Sequence, residues 1–253
     1  MTKHKKHGPS AHHIRRYVII ICLCVFLFVF YYNGYSDLIV NPEDNGSQIK
    51  IACIGDSITY GFGIKNQPSN SYPRILGDML GAECTVSNFG NIGVTVQSDG
   101  DQPYTSTRTY EKSIRYDADV IIFMMGSNDA KICNWKNEEK FIADYNELLD
   151  SYLTGDNPPL VFLCTPACAL YREGQQEGSS TYGIQPDVVD GIAEAVRGIA
   201  RERNCPVIDI NEVTKGHREY YAKDLIHLNS QGARAVADEV YTSLIRYASG
   251  CEA

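Results

Sequence analysis

Short apolar runs alternate with amphipathic segments along most of the chain after residue 48. The apolar runs have the length of buried strands and cover residues 49–54, 84–89, 119–125, 159–164 and 206–210. The segments between and after them repeat apolar residues at helical spacing, near 72–81, 107–117, 137–153, 186–203 and 230–247. Buried strands separated by helices are typical of a parallel sheet covered on both faces. The pattern therefore predicts a three-layer α/β/α sandwich with about five parallel strands, and functional residues are expected beyond their carboxyl ends.

The amino-terminal segment has a different pattern. Residues 17–32 (YVIIICLCVFLFVFYY) carry no charge and follow a basic tail, residues 1–16, that has no acidic residue. Sixteen helical residues extend roughly 24 Å, slightly less than the ~30 Å hydrocarbon core of a bilayer. We expect a transmembrane signal anchor with the tail in the cytoplasm and the rest of the chain outside. A signal peptide cleaved near Ser36 is the alternative.

Composition and charge fit this division of the chain. Polar residues 33–47 indicate a linker, which leaves residues 48–253 as one globular domain with a substantial core. The formal net charge is −8, but residues 1–36 hold five of the 23 basic residues and none of the 31 acidic ones. The remainder is therefore strongly acidic and has no stripe of Lys and Arg. These features argue against nucleic acid as a partner.

The cysteines indicate neither a metal site nor a redox motif. Two of the nine lie in the apolar run, the other seven cannot all pair, and no C-x-x-C occurs. Cys53 and Cys164 lie inside predicted strands, where we expect buried free thiols. Cys133 and Cys168 both follow strands, and a disulfide between them above the sheet is a further expectation.

A candidate nucleophile follows the first predicted strand. Ser57 lies in Gly-Asp-Ser-Ile-Thr (55–59), where a tight turn would hold its hydroxyl out over the sheet edge. By itself this sequence is also an ordinary turn. The G-x-S-x-G motif is absent from the chain, which disfavours the α/β-hydrolase family.

Candidate oxyanion donors follow the second and third strands. The glycine-rich turn that ends at Gly93 can direct a backbone N–H at a developing negative charge, and Asn128 in Gly-Ser-Asn-Asp (126–129) can offer its side-chain amide. The alternatives are a turn that allows close packing and an Asn that caps a helix.

Few residues of the sequence can serve as the general base. Only two histidines follow the apolar segment, and His217 lies in a charged, surface-like stretch. His227 ends Asp-Leu-Ile-His (224–227), where Asp224 can reach the imidazole Nδ1–H and leave Nε2 to accept a proton. A helix-capping Asp beside an exposed His would give the same pattern.

Taken together, these blocks resemble the SGNH/GDSL hydrolase superfamily over residues 48–247. The resemblance implies a catalytic triad of Ser57, His227 and Asp224. It also implies an oxyanion hole made by the N–H groups of Ser57 and Gly93 and the Asn128 amide, with Gly90 as the alternative to Gly93. Ile58 stands where the family name expects Leu. The implied reaction is ester hydrolysis through an acyl-enzyme, and it needs no metal or organic cofactor.

The substrate is less constrained by the sequence. The stretch after Gly-Ser-Asn-Asp resembles bacterial family members that remove acetyl groups from carbohydrates, including sialate-type acetylesterases. Trp135, in a polar loop, is a candidate substrate contact or else a core residue, and Asp56 is a candidate contact or else a turn residue. The polar stretches 94–107 and 169–185 are expected to shape the alcohol side of the site.

Several functions therefore stay open at this point. The leading hypothesis is an extracytoplasmic esterase that acts on short acyl groups, with acetylated glycans as the expected substrate. The alternatives are an acyltransferase that modifies cell-wall sugars, a lysophospholipase-type acylhydrolase and a non-catalytic surface-binding module. The sequence gives no indication of oligomeric state.

Overall fold

The structure is a computed structural model that describes residues 48–175 and 177–250. The predicted basic tail (1–16), membrane anchor (17–32) and linker (33–47) fall outside these residues, as does the site proposed for cleavage near Ser36. Within the described part of the chain, no helix is both long enough and apolar enough to cross a bilayer.

The described residues form five strands and eight α-helices. The strands, β1 to β5, are Ile49–Gly55, Cys84–Gly90, Val120–Met124, Leu160–Cys164 and Val207–Ile208. The helices, α1 to α8, are Ser57–Tyr60, Gln67–Asn70, Tyr72–Leu80, Arg108–Arg115, Glu138–Tyr152, Pro186–Arg203, Ile210–Thr214 and Ser230–Ala248. Short 3₁₀ turns occur at Gly81–Glu83, Tyr104–Ser106, Thr181–Gly183 and Arg218–Tyr220.

All five strands are parallel and lie in the order β2-β1-β3-β4-β5. The chain winds outward in one direction from β1 to β2 and in the other from β3 to β5. The carboxyl ends of β1 and β3 therefore flank the point where the strand order reverses, which is the usual place for a binding crevice in an open α/β sheet. The predicted α/β architecture with a five-stranded parallel sheet is confirmed.

Two apolar cores lie on opposite faces of the sheet and give the three layers. Because side chains alternate along a strand, Ile51 and Cys53 of β1 pack with α3 and α8, whereas Ala52 and Ile54 pack with α5 and α6. The central strand β3 is buried along its whole length, as expected for a strand covered on both faces. The sheet is thus a rigid base for the turns at its carboxyl edge.

The last strand is shorter than its apolar pattern predicts. The prediction covered residues 206–210, but only Val207 and Ile208 pair with β4. Asp209 instead accepts a hydrogen bond from the Glu212 N–H at 3.2 Å and caps α7. Capping by an Asp side chain satisfies a helix N–H that has no backbone partner, and this preference ends the strand.

The expected disulfide between Cys133 and Cys168 is absent. The six cysteines of the described part of the chain, Cys133 and Cys168 among them, are free thiols. The Cys168 sulfur is buried 3.2 Å from the Asn211 carbonyl oxygen, whereas Cys133 is exposed beside Asn134. The prediction that Cys53 and Cys164 are buried free thiols is confirmed.

Candidate active site

The turn after β1 holds Ser57 in one position. A Cβ atom on Gly55 would lie 2.0 Å from Thr59 Oγ1 and 2.7 Å from the Met124 carbonyl oxygen, so only glycine fits where the strand turns. Asp56 follows, and its carboxylate accepts a 2.9 Å hydrogen bond from the Ile58 N–H as the cap of α1. Ser57 is the first residue of that helix and is almost completely buried.

Ser57, His227 and Asp224 form a continuous hydrogen-bonded chain. His227 Nε2 lies 2.9 Å from Ser57 Oγ, and His227 Nδ1 lies 2.7 Å from Asp224 Oδ2. The structure therefore brings together three residues that are up to 170 positions apart in sequence. This arrangement is able to move a proton from the hydroxyl to the imidazole while the carboxylate stabilises the resulting charge.

The Asp224–His227 turn fixes the orientation of the imidazole. Leu225 adopts a left-handed conformation (φ 64°), and Asp224 Oδ1 accepts hydrogen bonds from the N–H groups of Ile226 (3.1 Å) and His227 (3.0 Å). Burial would raise the pKa of Asp224, but the hydrogen bonds from His227 and from these N–H groups lower it below its ordinary value. The cap of the next helix, α8, is Asn229 rather than Asp224.

The side-chain amide of Asn128 is buried and has no partner in the part of the chain that the structure describes. The side chain is 5% exposed, and its Nδ2 has no hydrogen-bond acceptor among the described residues. Its main chain is held in place because Asn134 Nδ2 donates to the Asn128 carbonyl oxygen at 2.9 Å. A buried donor without a partner is costly, and such groups are commonly kept for a ligand or a reacting atom.

Geometry also distinguishes the two candidate glycines. The Gly90 N–H donates to Asn88 Oδ1 at 2.8 Å, and a Cβ at Gly90 would lie 2.1 Å from the Tyr60 nitrogen. Gly90 thus serves close packing of β2 against α1. Gly93 has a left-handed backbone (φ 82°), and within the described residues neither its N–H nor that of Ser57 donates a hydrogen bond. These two N–H groups stay available for an oxyanion.

Two buried carboxyl groups join the turns that carry the site. Asp129 accepts hydrogen bonds from the N–H groups of Val96 (3.0 Å) and Gln97 (2.8 Å), so it ties the segment after Gly93 to the turn after β3. Asp56 is 1% exposed, and burial raises its pKa, although the Ile58 N–H and the Ser127 side chain in the turn after β3 act to lower it. Contact between Asp56 and a substrate would require the carboxylate to leave both partners.

The other residues that the sequence analysis considered for the site lie at different depths in the structure. Trp135 is half-buried with its ring centroid 6.3 Å from that of Phe141, so its role as a substrate contact stays a prediction. Residues 94–97, expected in a polar loop, are buried. His217 pairs with Glu219 at 2.8 Å and stacks on Tyr220 at the surface.

Two aromatic rings beside the imidazole escaped sequence-based prediction. The Phe62 and Tyr182 ring centroids lie 4.7 and 5.7 Å from that of His227. The two glycines that flank Phe62 were a signal for a special turn, whereas nothing in the local sequence marked Tyr182. In the described residues, no group of three or more His, Cys, Asp or Glu side chains is arranged to hold a metal ion.

Comparison with known proteins identifies the family to which the chain belongs. The model of the GDSL-like Lipase/Acylhydrolase family matches residues 53–235, which is most of the chain and includes every member of the hydrogen-bonded chain described above. The chain belongs to this family. The predicted SGNH/GDSL resemblance is confirmed.

Individual relatives agree with that assignment. An acetylxylan esterase of Xylanibacter ruminicola is 26% identical over 221 residues, which is 80% of this chain but 44% of the relative. The GDSL chain thus spans less than half the length of that curated relative. An aryl esterase of M. smegmatis (18% identity, TM-score 0.64, 78% of this chain and 98% of the other) shares the fold. So does a carbohydrate acetylesterase family member from Sinorhizobium meliloti (19%, 0.63, 80% and 100%).

Removing the Asn128 amide should impair the esterase activity expected of this GDSL chain without unfolding it. We expect Asn128→Ala to lower kcat on an acetyl ester by about 10²- to 10³-fold, the usual effect of losing one oxyanion donor. Since Asn128 Nδ2 donates no hydrogen bond within the described protein, the urea midpoint should change little. Asn134→Ala is the contrasting variant, because its Nδ2 donates two hydrogen bonds and its loss should destabilise the fold by about 1–3 kcal/mol. A kcat loss below fivefold for Asn128→Ala would contradict its role.

Asp129 should make the stability of the domain depend on pH. Burial raises the pKa of Asp129 to about 7 despite the hydrogen bonds from Gln97 and Val96. The folded state therefore favours the neutral carboxyl. The contribution of this group to stability is greatest in acid and is lost as pH rises from the unfolded pKa near 4 to the folded value.

The test compares urea unfolding of the wild type and Asp129→Asn between pH 4 and pH 8. The wild type should lose stability relative to the variant as pH rises, by an amount on the order of a few kcal/mol. Asp117→Asn, at an exposed position, is the matched control. A wild-type-to-variant difference that stays constant with pH would rule out this titration.

Proposed function

We propose that this chain is an extracytoplasmic serine esterase that removes acetyl groups from carbohydrate hydroxyls. The observation that carries the proposal is the 2.9 Å contact between His227 Nε2 and Ser57 Oγ, with Asp224 on the other side of the imidazole. This contact places a nucleophilic hydroxyl within hydrogen-bonding distance of its general base. The Asn128 amide, which has no partner among the described residues, can donate a hydrogen bond to the oxyanion that forms next.

The first half of the reaction acylates Ser57. His227 Nε2 takes the hydroxyl proton as Ser57 Oγ bonds to the ester carbonyl carbon, and the carbonyl π electrons move to oxygen. The oxyanion accepts hydrogen bonds from the N–H groups of Ser57 and Gly93 and from the Asn128 amide. When the carbonyl re-forms, the bond to the alcohol oxygen breaks, and His227 donates its proton to that oxygen.

The second half releases the acid. A water molecule gives its proton to His227 Nε2 and bonds to the acyl carbon, which forms a second oxyanion in the same place. Collapse breaks the bond to Ser57 Oγ, which recovers a proton from His227. Asp224 stays ionised throughout, and its hydrogen bond to Nδ1–H keeps the imidazole in the tautomer that both halves require.

Three observations support acetylated carbohydrate as the substrate. One relative is named an acetylxylan esterase, and one solved structure of the same fold is a carbohydrate acetylesterase family member. The segment 169–185, which reaches the site through Tyr182, is rich in polar residues that suit a hydrated alcohol. Extracytoplasmic placement rests on the basic tail (1–16) followed by the uncharged run (17–32).

Acyl-chain and alcohol profiling tests the activity. We expect kcat/KM to be highest for acetyl esters, to fall as the acyl chain lengthens, and to be substantial on acetylated glycans without any added acceptor sugar. A preference for long acyl chains would favour a lipid acylhydrolase. Acetate transfer that depends on an acceptor sugar, with little free acetate, would favour a transferase. Ser57→Ala serves as the background for every substrate.

Protease treatment of intact cells tests the location. An added protease should digest the domain while the cells stay sealed, and carbonate extraction should leave the full-length chain in the membrane. Soluble protein that lacks residues before about Ser36 would favour the cleaved signal peptide instead. Protection from the protease would contradict the extracytoplasmic proposal.

A further inference from the structure

Two large aromatic side chains lie exposed against the catalytic imidazole. Phe62 is 38% exposed with its ring tilted 52° to that of His227, and Tyr182 is 56% exposed with its ring at 71°. Most large apolar side chains of the described domain are buried, whereas these two meet solvent at the reacting centre. Exposed aromatic groups beside a site are commonly binding surfaces.

The Phe62 ring is fixed relative to the nucleophile. Gly61 and Gly63 flank it in left-handed conformations (φ 88° and 79°), and the Phe62 N–H donates to the Ser57 carbonyl oxygen at 2.9 Å. A Cβ on Gly61 would lie 2.8 Å from the Ser71 Cβ, so this turn is packed tightly. Phe62 therefore lies in the turn that directly follows the short helix of Ser57 and is hydrogen-bonded to its first residue.

The Tyr182 ring is held by a segment with little freedom. Tyr182 is a non-glycine residue in the left-handed region (φ 62°, ψ 15°), a conformation that persists only when its surroundings impose it. The Ile132 N–H donates to the Gly183 carbonyl oxygen (3.0 Å), and Thr181 Oγ1 donates to the Asp224 carbonyl oxygen (2.7 Å). Tyr182 is thus attached both to the turn after β3 and to the catalytic acid.

The direction of proton transfer decides what these rings contact. In the acylation step, His227 Nε2 donates its proton to the departing alcohol oxygen, so the alcohol must lie against the imidazole. Side chains that pack on the imidazole and face solvent are then in place to touch the alcohol rather than the acyl group. We propose that Phe62 and Tyr182 form the binding site for the pyranose ring that carries the ester. This inference rests on the proposed function.

The exposure of the rings favours a sugar over a lipid. A pyranose has apolar C–H faces that pack on aromatic rings, while its hydroxyl groups must stay hydrated or hydrogen-bonded. Two rigid rings that remain open to water fit both requirements. A long alkyl group would instead gain most from complete removal from water.

The experiment measures kcat/KM on a mono-O-acetylated methyl pyranoside and on ethyl acetate, and reports the ratio of the two. Phe62→Ala and Tyr182→Gly should each lower this ratio by about 5- to 30-fold, mainly through KM on the pyranoside. Glycine suits the left-handed backbone at 182, so Tyr182→Gly should unfold at a temperature no lower than the wild type does. Tyr182→Phe keeps the ring and should retain at least about half of the wild-type ratio.

Ile114→Ala is the control variant. Ile114→Ala removes a side chain that is also 38% exposed, on α4 near the amino end of β3, and should leave the ratio unchanged. An unchanged ratio in both Phe62→Ala and Tyr182→Gly, with good turnover of the pyranoside by the wild type, would overturn this inference alone. Wild-type enzyme that cleaves ethyl acetate but no acetylated pyranoside would overturn the proposed carbohydrate substrate and this inference together.

Discussion

Replacing Ser57 by alanine should lower kcat on a chromogenic acetyl ester by roughly 10⁴- to 10⁶-fold, the range found when a serine nucleophile is removed. The variant has no atom to form the acyl-enzyme, although the oxyanion donors stay in place and support a small residual rate. Its unfolding midpoint should stay close to that of the wild type, because the change removes one oxygen and one hydrogen bond to His227. Steady-state rates and urea unfolding on the same samples check both parts.

The matched control is Ser69→Ala, an exposed serine on the short helix α2. It should keep wild-type kcat and KM. Residual activity above about 1% in Ser57→Ala, with the same substrate preference as the wild type, would place the nucleophile elsewhere and remove the basis of the proposed mechanism.

The second large effect is expected from Asp224→Asn, which should lower kcat by about 10³- to 10⁴-fold. The amide is nearly isosteric, but its NH₂ group would face Nδ1 and favour the tautomer that carries the proton on Nε2. That tautomer cannot accept the Ser57 proton. Since hydrogen bonds hold the pKa of Asp224 below its ordinary value in spite of burial, the wild-type carboxylate stays ionised across the neutral range.

Rates measured from pH 5 to pH 9 test this explanation. The wild type should show no loss of kcat/KM attributable to Asp224 within that range, and the variant should be impaired at every pH. Glu219→Gln is the matched control, because it changes the surface carboxylate that pairs with the other imidazole, His217, at 2.8 Å. A loss of similar size in both variants would mean that Asp224 acts only through general stability.

The features that could be predicted from sequence depend on local patterns or on a residue type that occurs only once or twice in the domain. Strands β1 to β4 coincide with short strand-like runs in the sequence, and their bounds differ from the prediction by at most one residue at each end. His227 was identified because the domain holds a single other histidine, and Asp224 because it lies three positions before His227 on one turn. Ser57 and Asn128 follow neighbouring strands of a parallel sheet, whose carboxyl ends must meet at one edge.

The features that were missed depend on long-range packing. Tyr182 reaches His227 from a segment 45 positions away, and its left-handed backbone leaves no mark in the sequence. The choice between Gly90 and Gly93 depended on whether each N–H already has an acceptor. The shortening of β5 resulted from competition between strand pairing and the capping preference of Asp209, which apolar periodicity does not register.

The hydrogen bond from Thr181 to the Asp224 carbonyl oxygen has a consequence for redesign and for evolutionary divergence. The loop that would present Tyr182 to the alcohol under our proposal also supports Asp224. Transplanting this loop from a related enzyme would alter selectivity and turnover together. Under the proposed mechanism, we expect variation at position 182 alone, with Thr181 retained, to change the preferred alcohol while the hydrogen bond to Asp224 stays in place.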